Sequence, residues 1–177
     1  YRARNLATFG QINYAFSAST SLDAGIRFER RETEFTSNYG DDFEPSSNSV
    51  GGQLALNHDL NDRHSVYALA SRGYKAGGVN ATLPAGLQDQ LLEFEEERLW
   101  NYELGWRGLW PEKDLRANVT AFYMDRSDAQ LNGYAKDGDH YYFFTENFDS
   151  ATHYGIESDF SAGLGESWRL FGSLGLL

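Results

Sequence analysis

The stretch LWNYELGWRG, Leu99 to Gly108, alternates large apolar residues with polar or very small ones. Trp100, Tyr102, Leu104 and Trp106 make one set; Asn101, Glu103, Gly105 and Arg107 make the other. Side chains of a strand point alternately to opposite faces. The segment therefore reads as a strand with an aromatic slab on one side and charges of both signs on the other. What each face touches decides the fold.

The same period of two recurs on both sides of this stretch. Ile12, Tyr14 and Phe16 oppose Gln11, Asn13 and Ala15; Leu22, Ala24, Ile26 and Phe28 oppose Asp23, Gly25, Arg27 and Glu29. Leu54 and Leu56 oppose Gln53, Ala55 and Asn57. The segment SVYALASRG (65–73) fits either phase, and its larger residues, Tyr67 and Leu69, are assigned to the apolar face. Leu115, Ala117, Val119, Ala121 and Tyr123 then oppose Arg116, Asn118, Thr120 and Arg126. Tyr154, Ile156 and Phe160 oppose Gly155, Glu157 and Asp159, and Trp168, Leu170, Leu174 and Leu176 oppose Arg169, Phe171 and Ser173. These make about eight strands, many longer than the ~5–6 residues typical of globular sheets.

The connections alternate in length. Short ones fall at 17–21, 60–64, 110–114 and 163–167; long ones span 33–49, 75–98 and 131–150. Antiparallel neighbours joined in this way collect all short turns at one end and all long loops at the other, the layout of an outer-membrane β-barrel. A soluble sandwich also alternates, but it packs its apolar face under a second sheet. Here the apolar face carries Trp100, Trp106, Trp110 and Trp168 beside turns, where interfacial girdles sit. The fold class expected is an all-β, antiparallel transmembrane β-barrel.

Composition bounds the function. A net charge of −11 over 177 residues opposes nucleic-acid binding, which needs a basic footprint. No cysteine is present, so neither disulfides nor thiolate metal sites are available. No apolar run reaches the roughly 18 residues of a transmembrane helix. Both ends fall inside alternating runs, so the chain is expected to be part of something longer.

Four segments carry a resemblance: SVYALASRGYKAGGVN (65–80), FEEERLWNYELGWRG (94–108), ANVTAFYMDRSDAQL (117–131) and ENFDSATHYGIESDFS (146–161). In order and spacing they resemble the C-terminal barrel of TonB-dependent outer-membrane receptors, and SLDAGIRFERRETEF (21–35) resembles an earlier strand of it. The resemblance implies that residues 1–177 are about eight strands of a 22-stranded barrel, with short periplasmic turns and long extracellular loops. The family's plug domain and energy-coupling box are not among these segments. It also implies active uptake of a scarce nutrient, most commonly a ferric siderophore, with cobalamin, haem or an oligosaccharide as other cargoes. The partners implied are the cargo, the TonB energy-coupling protein acting through the missing N-terminal part, and outer-membrane lipids. Two other readings stay open: a self-contained eight-stranded membrane barrel with a structural or adhesive role, and a soluble carbohydrate-binding β-sandwich.

No catalytic constellation is legible, no enzyme is expected and no cofactor is required. His58, His64, His140 and His153 lack metal-ligand spacing. The acidic runs YGDDFEP (39–45), EFEEERLW (93–100) and KDGDH (136–140) lack the spacing of a calcium loop and read as solvated loop. SRGYKAGGVN (71–80) lacks the phosphate-loop pattern. Its Arg72, Tyr74 and Lys75 form a cationic and aromatic cluster suited to an anionic chelate, or else to pairing within the wall. Tyr134, Tyr141 and Tyr142 lie in the aromatic-rich 131–150 segment, read as a long loop of the kind that commonly binds, with Tyr141 to Phe144 open to the alternative of a strand continuing above the membrane. These six are the expected cargo-binding residues. Arg27, Arg107, Arg116, Glu103, Glu157 and Asp159 are expected to form networks on the inner wall.

Overall fold

The structure, a computed structural model, describes residues 2–36, 42–43, 45–80, 83, 91–165 and 167–177. Its strands are β1 (Arg2–Ala15), β2 (Thr20–Thr36), β3 (Asp42–Phe43), β4 (Ser46–Asn61), β5 (His64–Lys75), β6 (Gly78–Val79), β7 (Glu93–Phe94), β8 (Glu97–Trp110), β9 (Leu115–Asp137), β10 (His140–Leu164) and β11 (Trp168–Leu176). The long strands lie side by side as β1-β2-β4-β5-β8-β9-β10-β11, every pair antiparallel. The short β3 pairs antiparallel with the end of β2, and β6 pairs with β7 as a separate ribbon. β1 and β11 do not pair with each other, so the sheet is an open strip of barrel wall.

Register sorts the two faces. Leu22, Leu56, Ala68, Leu104, Ala121 and Ile156 are successive partners in one row across the wall. One residue along, Asp23, Ala55, Leu69, Glu103, Phe122 and Gly155 form the row on the opposite face. Among the described residues nothing covers the apolar face: Leu104 is 68% exposed, and the only buried hydrophobics are Leu83 and Ala129. A β-sandwich packs such a face beneath a second sheet, and among the described residues no second sheet lies on it. The ten residue steps from Trp100 to Trp110 span about 33 Å along β8, or roughly 25 Å once the strand is tilted by about 40°. That height matches the apolar band of an outer-membrane barrel, about 25 Å.

Aromatic rings mark both edges of the band. Trp100 stacks on Tyr102 at 6.0 Å, and Tyr102 meets Tyr123 at 6.5 Å. At the other edge Trp106 lies 5.8 Å from Trp110, and the His64 ring sits 5.7 Å from Trp106 and 5.3 Å from Trp110. The short turns at that end are tied by ion pairs, Arg63 to Glu112 at 3.1 Å and Arg169 to Asp114 at 2.7 Å.

Two expectations are corrected. Residues 131–150 are not a loop. β9 and β10 stay paired from Ala162–Leu115 up to His140–Asp137, and only Gly138 and Asp139 turn the corner. Gly138 has φ +59°, the left-handed conformation that two-residue hairpin turns demand. The second correction is the phase of β5. Tyr67 pairs with Gly105 and Leu69 with Glu103, which puts both on the polar face, while Val66, Ala68 and Ala70 face outward. The larger side chains face inward because the Tyr67 hydroxyl donates to Glu103 at 3.0 Å and meets Thr120 Oγ1 at 3.1 Å, contacts that hydrocarbon cannot offer.

Candidate functional site

At the end of the wall opposite the short turns, β8 pairs with β9 only as far as Arg98–Ser127. Asp128, the next residue, has φ 55°, and its carboxylate is ion-paired with Arg98. Beyond it the β9–β10 hairpin continues without β8, for about 30 Å of strand counted to Asp137.

The root of this hairpin is a polar node. Glu97, buried at the start of β8, accepts Arg126 Nε at 3.0 Å and Nη2 at 2.7 Å on one oxygen, and the Gln130 backbone N–H at 2.8 Å on the other. Burial pushes the Glu97 carboxyl up, but the Gln130 N–H and the Arg126 guanidinium outweigh it and hold the group below the usual glutamate range. Gln130, also buried, donates its side-chain amide to the carbonyls of Lys75, Ala76 and Glu95 at 2.8–3.2 Å. Asn80 and Asn147 add further bonds between this stretch and the hairpin.

A second group occupies the polar face nearby. Arg27 Nη2 binds Glu29 Oε2 at 2.5 Å, and Tyr74 donates to that oxygen at 3.0 Å while accepting from Arg27 Nε at 3.2 Å. The Tyr74 ring lies across Gly51, where an added Cβ would stand 3.1 Å from Cε1. Arg72 donates to the Val50 carbonyl and lies 3.9 Å from Glu96, which itself accepts from Ser49. Arg72 and Tyr74 help line an open recess of about 780 Å³ with Arg27, Leu99 and Met124.

The third group stands on the hairpin. Tyr134 and Tyr141 contact each other at 6.1 Å, and Lys136 Nζ lies 5.6 Å from the Tyr141 ring. Phe143, opposite Tyr134 in the register, belongs to the same face, and Tyr134 and Phe143 are 68% and 71% exposed.

Of the six expected binding residues, the structure thus joins Arg72 to Tyr74 in one recess and Tyr134 to Tyr141 in one ring pair. Arg72 and Tyr74 are already engaged by wall partners. Lys75 is exposed and opposite Glu97, and Tyr142 is half-buried opposite Ala135. On the inner wall the Arg107 guanidinium lies 4.5 Å above the Tyr67 ring, and Asn118 donates to Asp159 at 2.9 Å. His58 bonds Thr20 at 2.8 Å. Among the described residues no group of three acidic, histidine or cysteine side chains is placed to hold a metal. Most of the acidic run 39–45 lies outside the described residues, which take in only the backbone of Asp42–Phe43 and Pro45. Sequence reasoning did not assign roles to Gln130, Asn80 and Asn147. Each sits inside one of the resembling segments, which was the available signal.

The comparisons with known proteins agree with this geometry. All of residues 1–177 match the family described as TonB dependent receptor-like, beta-barrel. The chain belongs to that family and is a strip of its outer-membrane barrel wall. It is 29% identical over 136 residues to the pesticin receptor of Yersinia pestis, and equally to that of Yersinia enterocolitica, covering 73% of this chain and 20% of each relative. The chain thus spans about a fifth of the length of the curated relatives it matches. Its fold is that of the ferric yersiniabactin uptake receptor FyuA from Yersinia pestis, with a TM-score of 0.74, 24% identity and coverage of 98% of this chain and 27% of the other. The alcaligin outer membrane receptor FauA from Bordetella pertussis shares it at a TM-score of 0.69 and 16% identity, over 98% of this chain and 29% of that one. All of these relatives are receptors by name.

Proposed function

We propose that the protein containing this chain imports a ferric siderophore across the outer membrane, driven by the TonB energy-coupling protein, without catalysing a reaction. The wall built by residues 1–177 encloses a plug contributed by the rest of the protein, which also carries the contact to TonB. Cargo is met at the long-segment end, where the hairpin displays Tyr134, Tyr141 and Phe143 with Lys136 beside them. Rings and a cation on one exposed face suit an anionic, aromatic-rich chelate through stacking and charge. Lys75 and the half-buried Tyr142 stand at the same end; Arg72 and Tyr74 support the rim as they bind Glu96, Glu29 and Val50. The observation that carries this reading is the exposed aromatic face on a chain related to the pesticin receptors.

The test is growth of a deletion strain on single iron sources, with the gene restored as wild type or as Tyr134→Ala/Tyr141→Ala. Loss of growth on one ferric siderophore, restored by the wild-type gene and only weakly by the variant, is expected. Deletion that leaves growth on every ferric siderophore unchanged would overturn the reading.

A further inference from the structure

We propose that Asn80 and Asn147 are positioning residues that lock the β6–β7 ribbon and the β9–β10 hairpin into one rigid unit, so that both face a cargo together. This rests on the reading of the hairpin as the cargo-contacting element.

An asparagine side chain carries the donors and the acceptor of a peptide group. Both residues use it in that way. Asn80, just beyond β6, donates Nδ2 to the Thr145 carbonyl at 2.7 Å and accepts the Thr145 N–H on Oδ1 at 2.8 Å. Two residues further along β10, Asn147 accepts the Glu95 N–H on Oδ1 at 2.7 Å and donates Nδ2 to the Glu95 carbonyl at 3.1 Å. Each clasp reproduces the double exchange of a hydrogen-bonded antiparallel pair. The two are reciprocal: the ribbon's asparagine holds the hairpin's backbone, and the hairpin's asparagine holds the backbone next to the ribbon. Each amide is also tied at home, Asn80 to the Leu91 carbonyl at 2.7 Å and Asn147 to the Asp128 carbonyl at 2.8 Å. Among the described residues the ribbon's own ladder has two residue pairs and the Asn80 N–H bond to the Leu92 carbonyl at 2.7 Å, too short a ladder to hold its place unaided. Breaking one clasp therefore loosens the other.

The experiment is hydrogen exchange by mass spectrometry on the full-length receptor in lipid nanodiscs, comparing wild type, Asn80→Ala and Asn147→Ala. Asn80→Ala is expected to speed exchange of the Glu95 amide, which Asn147 clasps, by about fivefold, the order of factor one net hydrogen bond represents. Asn147→Ala is expected to do the same to the Thr145 amide. Acceleration confined to the amide whose own clasp is removed overturns the rigid unit. Asn80→Asp and Asn147→Asp keep the shape and lose the donor; they give the same cross-effect and serve if an alanine variant fails to assemble.

The positioning role is read by binding of ferric yersiniabactin, used as probe, alongside the melting temperature of the barrel. Asn147→Ala is expected to weaken binding about tenfold with the melting temperature unchanged, a split that a purely structural defect does not give. Unchanged affinity despite faster exchange overturns the positioning role. Tyr134→Ala/Tyr141→Ala binding like wild type defeats the reading of the hairpin as the cargo-contacting element instead and leaves the exchange result to decide the rigid unit.

Discussion

Glu97 satisfies three donors with two oxygens, and its partners lie 29 and 33 residues away in the chain. That distance explains what could be read beforehand. Its place at the start of the aromatic strand was visible, but its binding to Arg126 and Gln130 was not, because β8 and β9 must first pair to bring them together. The partners of Asn80 and Asn147 were hidden for the same reason: the resembling segments marked where the two amides stand, but what an amide binds is not legible until a second segment lies beside it. Glu97→Gln removes the charge and turns an amide N–H toward either Arg126 or the Gln130 N–H. We expect the hairpin root to lose about 2 kcal/mol, the order of a charge-assisted hydrogen bond, measured as faster exchange of the Gln130 amide. The pH dependence has a definite sign. A carboxyl held below its ordinary value of 4.5 stabilises the fold above that value, and the stabilisation declines as pH falls through the lower folded value. Protection of Gln130, corrected for intrinsic exchange, should therefore be full above 4.5 and decline on acidification below it. In Glu97→Gln it should be flat across that window.

Strands β8, β9 and β10 show why alternation was decisive for the wall and less so above it. Within the band, lipid selects large apolar residues at every second position, so the eight long strands were plain. Beyond Asp128 that selection ends, and glycines and paired tyrosines made residues 131–150 look like loop although the ladder continues to Asp137. β5 misled for the opposite reason. Its outward residues are the small Val66, Ala68 and Ala70, while Tyr67 turns inward and lies across Gly105. An added Cβ at Gly105 would stand 1.9 Å from Tyr67 Cε1, and one at Gly155 would stand 2.1 Å from the backbone carbonyl oxygen of Leu176. The Tyr67 ring can swing aside at the cost of its contacts with Glu103, Thr120 and Arg107; the carbonyl moves only with β11. Gly105→Ala should lower stability by about 1–3 kcal/mol, and Gly155→Ala by more. Urea unfolding of the receptor in lipid vesicles reads both, and equal losses would show that the ring is as immovable as the backbone.

The wall as a whole has one face made for hydrocarbon and two edges that hydrocarbon cannot accept. Leu104 lies midway between the tryptophan rows of β8, so Leu104→Arg should cost roughly 2–4 kcal/mol of folding into a bilayer, the penalty of an arginine at the midplane of a lipid-facing strand. The neighbouring polar-face position should tolerate charge, as Glu103 already does. The edges argue about closure. Among the described residues β1 pairs only with β2, and β11 only with β10, leaving a row of peptide groups on the far side of each. In lipid each unpaired group costs several kcal/mol, so both edges must be covered in the membrane. Two coverings are possible: β1 against β11, closing a barrel on eight strands, or further strands of the same protein, as in the 22-stranded outer-membrane transporters. Membership of the receptor family and the separation of β1 from β11 both favour the second. Cysteine pairs decide it in the full-length receptor. Asn13→Cys with Asp23→Cys, directly opposed in the β1–β2 register, should oxidise to a disulfide. Cysteines at Gln11 or Asn13 combined with cysteines at Phe171 or Ser173, all on the polar face, should not. A disulfide between β1 and β11 would mean that these strands close on each other, and the chain would then be a small barrel with no room for a plug or a cargo.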